Sequence, residues 1–183
     1  MMYFSSDSHA FHTNILRYCK DTRPFESVEE MNAVIIKGWN SVVSDKDEIY
    51  HLGDLSFGDA LQTRELLRQL RGKKHLVLGN HDKVIRSNRD IQGYFASVQE
   101  YKELKYDKKR IVLSHFPFLS WNGSYRGSWH LHGHSHNGLF EANANVRRLD
   151  VGVDSVGFSP ISIEMVADTM KAKIVAPQPY QAD

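Results

Sequence analysis

His75-Leu76-Val77-Leu78-Gly79-Asn80-His81-Asp82 decides the reading of this chain. An apolar run of strand length stops abruptly at a glycine, an amide, an imidazole and a carboxylate. The run predicts a short buried strand over 75–78. The glycine predicts a sharp backbone turn with open space beside it. The same arrangement recurs on either side. Residues 2–6 read as a strand that runs into Asp7-Ser8-His9, and residues 48–52 as one that runs into Gly53-Asp54. A strand over 110–114 ends at His115, and one over 128–132 ends at Gly133-His134-Ser135-His136. Polar side chains at the ends of buried strands share one edge of the sheets, where α/β proteins build their sites.

The segments between these strands supply helices. Met31, Val34, Ile35 and Trp39 repeat at helical spacing over 28–43, with Ser27 as N-cap and Glu29 and Glu30 in the first turn. Leu61, Leu66, Leu67 and Leu70 predict a helix over 60–70, ended by Gly72. Residues 95–106 and 110–114 read as a β-hairpin around Asp107-Lys108-Lys109, and 146–153 as a late strand. Ser159-Pro160 is expected to open a C-terminal helix, with proline at its first position. The tail after about 173 is expected to be loosely held. No repeat or linker interrupts the pattern, so one domain over 1–183 is expected.

Composition removes several classes. Lys and Arg number 23 against 22 Asp and Glu, a balance that gives no support to a dedicated nucleic-acid binder. Cys19 is the only cysteine, so neither an internal disulfide nor a cysteine-based zinc site can form. The first residues lack a basic start and an apolar core, and no apolar run reaches membrane-spanning length. Cytoplasmic residence without membrane contact is the expectation. The unusual number is 10 His, four of which fall within 130–136.

Collected from the strand ends, Asp7, His9, Asp54, Asn80, His81, His115, His134 and His136 are all oxygen or nitrogen donors. Such a set suits Mn²⁺, Fe, Zn²⁺ or Ni²⁺. It exceeds what one ion takes, and a pair of ions sharing a carboxylate would use it. Asp7 and His9, two apart on an extended segment, would point the same way. His134 and His136 would either do likewise or diverge at a turn after Gly133.

Asp7-x-His9, Gly53-Asp54, Gly79-Asn80-His81-Asp82, His115 and Gly133-His134-x-His136, in that order, resemble the five motif blocks of the calcineurin-like metallophosphoesterase superfamily. Small bacterial and phage members are also similar at Arg23-Pro24-Phe25 and Val151-Gly152-Val153-Asp154. The resemblance implies an α/β fold, a two-sheet β-sandwich flanked by helices. It implies that Asp7, His9 and His136 hold one divalent metal ion, that Asn80, His115 and His134 hold a second, and that Asp54 bridges them. Manganese is the first expectation for both ions. His81 matches the family's general acid, which protonates the departing oxygen as a hydroxide shared by the ions attacks phosphorus. Asp82 is a candidate to tune His81.

The expected function is therefore hydrolysis of a small phosphate ester, with a phosphodiester such as a nucleotide or cyclic nucleotide favoured. A phosphomonoesterase or a nuclease is the alternative, and a non-catalytic scaffold of the same fold is a further one. The spacing leaves no room for a cap domain over the site. Among the other residues, His51, His75 and His130 read as core histidines. His12 and His132 can serve the site or not, and Arg126 is a candidate phosphate contact. Phe116, Phe118 and Trp121 either wall a pocket or pack their loop. The cations at 102–110 read as a solvated hairpin.

Overall fold

The structure, a computed structural model, describes residues 1–175; the rest of the tail expected to be loosely held lies outside the described residues. The strands are β1 (Met2–Ser5), β2 (Glu48–His51), β3 (Lys73–Val77), β4 (Ser97–Gln99), β5 (Tyr101–Tyr106), β6 (Lys109–Ser114), β7 (Trp129–His132), β8 (Arg148–Asp150) and β9 (Ile161–Ser162). The helices are α1 (Ile15–Tyr18), α2 (Val28–Val42), α3 (Ala60–Gln69), α4 (Lys83–Ser87), α5 (Arg89–Gln92), α6 (Phe140–Ala144), α7 (Val153–Val156) and α8 (Ile163–Ala172).

Two mixed sheets form, one in the order β4-β3-β2-β1-β9 and the other β5-β6-β7-β8. In the first, β1 to β4 pair in parallel and β9 joins antiparallel to β1. In the second, β5 and β6 make an antiparallel hairpin, and β6, β7 and β8 run parallel. Side-chain alternation explains why the sheets stack. In β1, β2 and β3, Phe4, Tyr50 and Val77 face inward and meet Ile111, Leu113, Trp129 and Leu131 of the second sheet. Their neighbours Ile49 and Leu76 face outward and pack with Trp39, Leu66, Leu67, Ile85 and Ile91 of the helices. A one-residue slip would exchange these two faces, so the register is fixed by burial on both sides. The expected two-sheet sandwich flanked by helices is the architecture observed. Among the described residues no helix is long and apolar enough to cross a membrane.

Local signals hold where caps are strong. Ser27 accepts from the Glu30 amide and starts α2, and Asp59 forms a capping box with Gln62 at α3. Four expectations are corrected. The long first arm of the hairpin is two strands: β4 joins the first sheet, and only β5 pairs with β6, so the chain crosses between sheets at Glu100. The turn itself puts Asp107 and Lys108 at φ of 44° and 62°, the twist that a two-residue hairpin loop needs. Pro160 does not open a helix. It precedes the short edge strand β9, where a missing N–H does no harm, and Ser162 caps α8 by accepting from the Met165 amide. Leu61 is exposed on α3, and Thr63, hydrogen-bonded to Ser56, is buried instead. The late strand shortens to β8, because the chain turns into α7 at Val153.

The core histidines pack among other side chains; His130 has both ring nitrogens hydrogen-bonded, whereas His51 and His75 each have one. His51 shares a hydrogen bond with the Ser8 hydroxyl at 2.9 Å and stacks near Trp39. His75 lies flat on Tyr50, at 4.4 Å between ring centres. His130 donates from Nδ1 to the Val112 carbonyl, accepts the Phe118 amide at Nε2, and stacks on the Phe118 ring. Burial pushes the His130 imidazole down to about 3. The unfolded chain, with an ordinary His near 6.5, therefore binds a proton that the folded chain refuses. Stability from this residue is complete well above pH 6.5 and is lost as pH falls toward 3. Lowering the pH from 7 to 5.5 should cost the wild type about 1 kcal/mol more than it costs His130→Gln, read from urea denaturation. Equal losses would show that His130 is not the group involved.

Candidate metal centre

The loops after β1, β2, β3, β6 and β7 converge at one edge of the sandwich. Asp7, His9 and His136 form one group of donors, and Asp54, His115 and His134 another, with the donor atoms of each group within 4.8 Å of one another. Asn80 joins the second group, its Oδ1 3.0 Å from His115 Nε2. Asp54 lies between the groups: its Oδ2 is 3.7 Å from His9 Nε2 and 3.5 Å from His115 Nε2. The structure thus brings together all seven residues expected to hold metal.

Backbone strain accompanies this convergence. Asp7, His9, Asp54, His134 and His136 have φ between 44° and 67°, a region that non-glycine residues seldom occupy. Asp7 and His9 therefore do not converge through an extended backbone, as their spacing suggested; each sits in a left-handed turn. Glycine creates the space. A Cβ on Gly133 would lie 2.2 Å from Asp7 Oδ2, and one on Gly79 would lie 2.2 Å from Asp54 Oδ1.

The supporting contacts come from residues that sequence reasoning did not assign to this task. Arg23 and Asp154 form a buried ion pair, with Nε on Oδ1 at 2.9 Å and Nη2 on Oδ2 at 2.7 Å. The same guanidinium donates to the Asp7 carbonyl at 2.6 Å and the Ser8 carbonyl at 3.1 Å. Asp154 Oδ2 also accepts from His136 Nδ1 at 2.7 Å, and His115 Nδ1 donates to the Leu52 carbonyl at 2.8 Å. Both histidines thereby keep an Nε2 lone pair turned into the centre. Asp150 ties the last loop by accepting from the Ser135 hydroxyl and the Asn137 amide. Arg23 and Asp154 were visible only as family-like flanks, and nothing near Asp150 in sequence pointed to its contacts.

Asp82 does not face the His81 ring. Its oxygens accept from the backbone amides of Asp54, Leu55 and Gly79 at 2.8–2.9 Å, which makes it a clamp on the backbone. His81 is exposed; its amide donates to Asp54 Oδ1 at 2.8 Å. Its ring lies 4.7 Å from Phe57 and 5.8 Å from His9, at the rim. His12 stacks on Phe57 at 3.9 Å, and burial with neighbouring His9 and His81 pushes it down to about 4. His132 is buried behind the centre, bonded to the Gly133 carbonyl and to Asn143. Arg126 lies at the far end of β6 from His115, in a hollow with Lys108, Lys109 and Arg110. Phe116 packs over His115 and His134, whereas Phe118 and Trp121 pack on His130.

The donor set fits divalent cations on an observation of its own. Asp7 Oδ1 and both nitrogens of His9 are buried without a hydrogen-bond partner. Unpaired buried polar atoms of this kind are costly, and here His9 Nε2 lies 3.7 Å from both Asp7 Oδ1 and Asp54 Oδ2. Burial opposes ionisation of Asp7, yet His9, His115 and His136 hold its carboxyl down at about 2. Burial likewise opposes ionisation of Asp54, and His115 outweighs it. Two ionised carboxylates among imidazoles, with no acidic proton to satisfy them, call for cations.

Known proteins are similar to this chain over most of its length. An uncharacterised protein of Methanocaldococcus jannaschii is 36% identical over 95% of this chain and 94% of its own length. The gene 66 protein of Mycobacterium phage L5 is 27% identical over 85% of this chain and 87% of its own. The crystal structure of a protein of unknown function from Aquifex aeolicus is similar with a TM-score of 0.75 and 29% identity, covering 92% of this chain and 98% of that one. The family model for the calcineurin-like phosphoesterase superfamily domain matches residues 2–157, and the chain belongs to that superfamily.

Proposed function

We propose that the chain is a cytoplasmic hydrolase that cleaves small phosphodiesters with the help of two divalent cations, manganese being the first to test. The observation that carries the reading is the placement of Asp54 Oδ2 between His9 and His115, with unpaired Asp7 and His9 atoms alongside. Asp7, His9 and His136 would hold one ion, Asn80, His115 and His134 the other, and Asp54 both. Such ions supply charge neutralisation at the phosphoryl oxygens and a water-derived nucleophile at neutral pH.

The chain's own residues do the rest. His115 and His136 are locked in one tautomer by Leu52 and Asp154, so their donor atoms need no reorientation. His81 is free of the donor groups and stands at the rim beside Phe57. As the bond from phosphorus to the leaving alcohol breaks, protonated His81 would give its proton to the departing oxygen. Among the described residues His81 stands exposed at the rim, which supports a substrate carrying groups on two oxygens over a bare monoester.

Two measurements test this. Titration of Mn²⁺ into chelator-treated protein should reach two ions per chain and raise the melting temperature. Asp54→Ala should abolish this, and Asp154→Asn should weaken the binding by about 10–100-fold through loss of the His136 support. Binding of a single ion to the wild type would remove the dinuclear reading. His81→Ala should keep both ions but lose about 10²–10⁴-fold in turnover of a diester with a poor leaving group. It should lose far less on bis(p-nitrophenyl) phosphate, whose leaving group departs without a proton. Near-normal turnover of the poor substrate would take His81 out of the mechanism.

A further inference from the structure

A cleft of about 280 Å³ opens beside the second donor group, lined in part by Asn80, Arg86, Glu100, His115, Phe116 and Phe118. It shares Asn80 and His115 with the centre, so an ester held there has one side open to the cleft. Among the described residues His81 is not one of its walls. The His81 ring is instead beside Phe57 and His9, a member of the first donor group, whereas Phe116 packs on His115 and His134 of the second. The leaving alcohol belongs on the side of the proton donor. The cleft is then the place for the ester group that stays on phosphorus.

Its chemistry narrows the occupant. Phe116 is 47% exposed and offers an open ring beside the second donor group. Arg86 and Glu100, paired with each other on the cleft wall, present donors and acceptors side by side. A second phosphate would meet the Glu100 carboxylate, and an alkyl chain would strip water from the Arg86–Glu100 pair without replacing it. A flat heteroaromatic ring with donors and acceptors on its edge meets both demands: its face stacks on Phe116 and its edge reaches the ion pair. We propose that this cleft is a nucleobase subsite, and that the group retained on phosphorus is a nucleoside. This rests on the phosphodiesterase reading above.

The test keeps the leaving group constant and changes only the retained group. Thymidine 5′-(p-nitrophenyl phosphate) and methyl p-nitrophenyl phosphate both release p-nitrophenolate. With Mn²⁺ present, kcat/KM for the nucleoside ester should exceed that for the methyl ester by on the order of tenfold. Phe116→Ala and, separately, Arg86→Ala should bring that ratio toward one. Melting shifts with Mn²⁺ serve to show that each variant still folds and loads metal. Calorimetry with thymidine 5′-monophosphate and inorganic phosphate gives a second readout: the nucleotide should bind about tenfold tighter to the wild type and no tighter to either variant. A wild-type ratio near one, or a ratio that neither substitution moves, would overturn the subsite while leaving the phosphoesterase intact. Failure to release p-nitrophenolate from either ester would overturn the phosphoesterase reading itself.

Discussion

Asp82 holds the centre's geometry in place. Its carboxylate accepts from the amides of Asp54, Leu55 and Gly79, and so ties the end of β2 to the end of β3. Hydrogen bonds to a charged group contribute about 1.5–3 kcal/mol each, and these three join two short stretches of backbone, one after β2 and one after β3. Burial pushes the Asp82 carboxyl upward and the three amides oppose that shift. What they secure is the left-handed backbone of Asp54, the residue between the two donor groups. Without this clamp the Gly53-Asp54 turn would have no reason to keep an unfavourable φ.

The first donor group has its own clamp. Arg23 donates to the carbonyls of Asp7 and Ser8, while Asp154 takes the other side of the guanidinium and the Nδ1 proton of His136. A buried ion pair of this kind is a weak source of net stability, because desolvation offsets its attraction. Its effect here is positional. Every polar atom of the pair is occupied, and the occupied directions fix two donors that are far apart in sequence. Left-handed φ values at five donors cost on the order of 1–3 kcal/mol each, and they persist only where surrounding contacts over-determine them. Asp82 and the Arg23–Asp154 pair are those contacts.

This division explains what could be read from sequence. The donors were legible because each ends an apolar run, and strand ends collect at one sheet edge. The helices were legible where Ser27 and Asp59 gave cap signals. The crossing at Glu100 was not legible: residues 95–106 carry one continuous pattern, and only the partner strand decides which sheet each half joins. Pro160 misled because a proline suits the first turn of a helix and the start of an edge strand equally well. The roles of Asp82, Asp150 and Asp154 were hidden for a different reason. Their hydrogen bonds depend on three-dimensional placement; the Arg23–Asp154 contact, for instance, spans 131 positions. A carboxylate that holds backbone looks the same in sequence as one that holds metal.

The charge of the centre ties these features to its chemistry. Arg23 neutralises Asp154, and Asp82 gives its oxygens to backbone amides; the carboxylates that face the donor groups are Asp7 and Asp54, both almost fully buried. Without cations that pair repels a phosphate ester. On the proposed dinuclear reading, two divalent ions would bring four positive charges to this edge and oppose that repulsion, although the chain as a whole has a net charge near zero. Attraction of substrate and completion of the donor set are then one event. On that reading no broad basic surface is needed to draw an anion, so an even balance of Lys, Arg, Asp and Glu is compatible with a phosphoesterase.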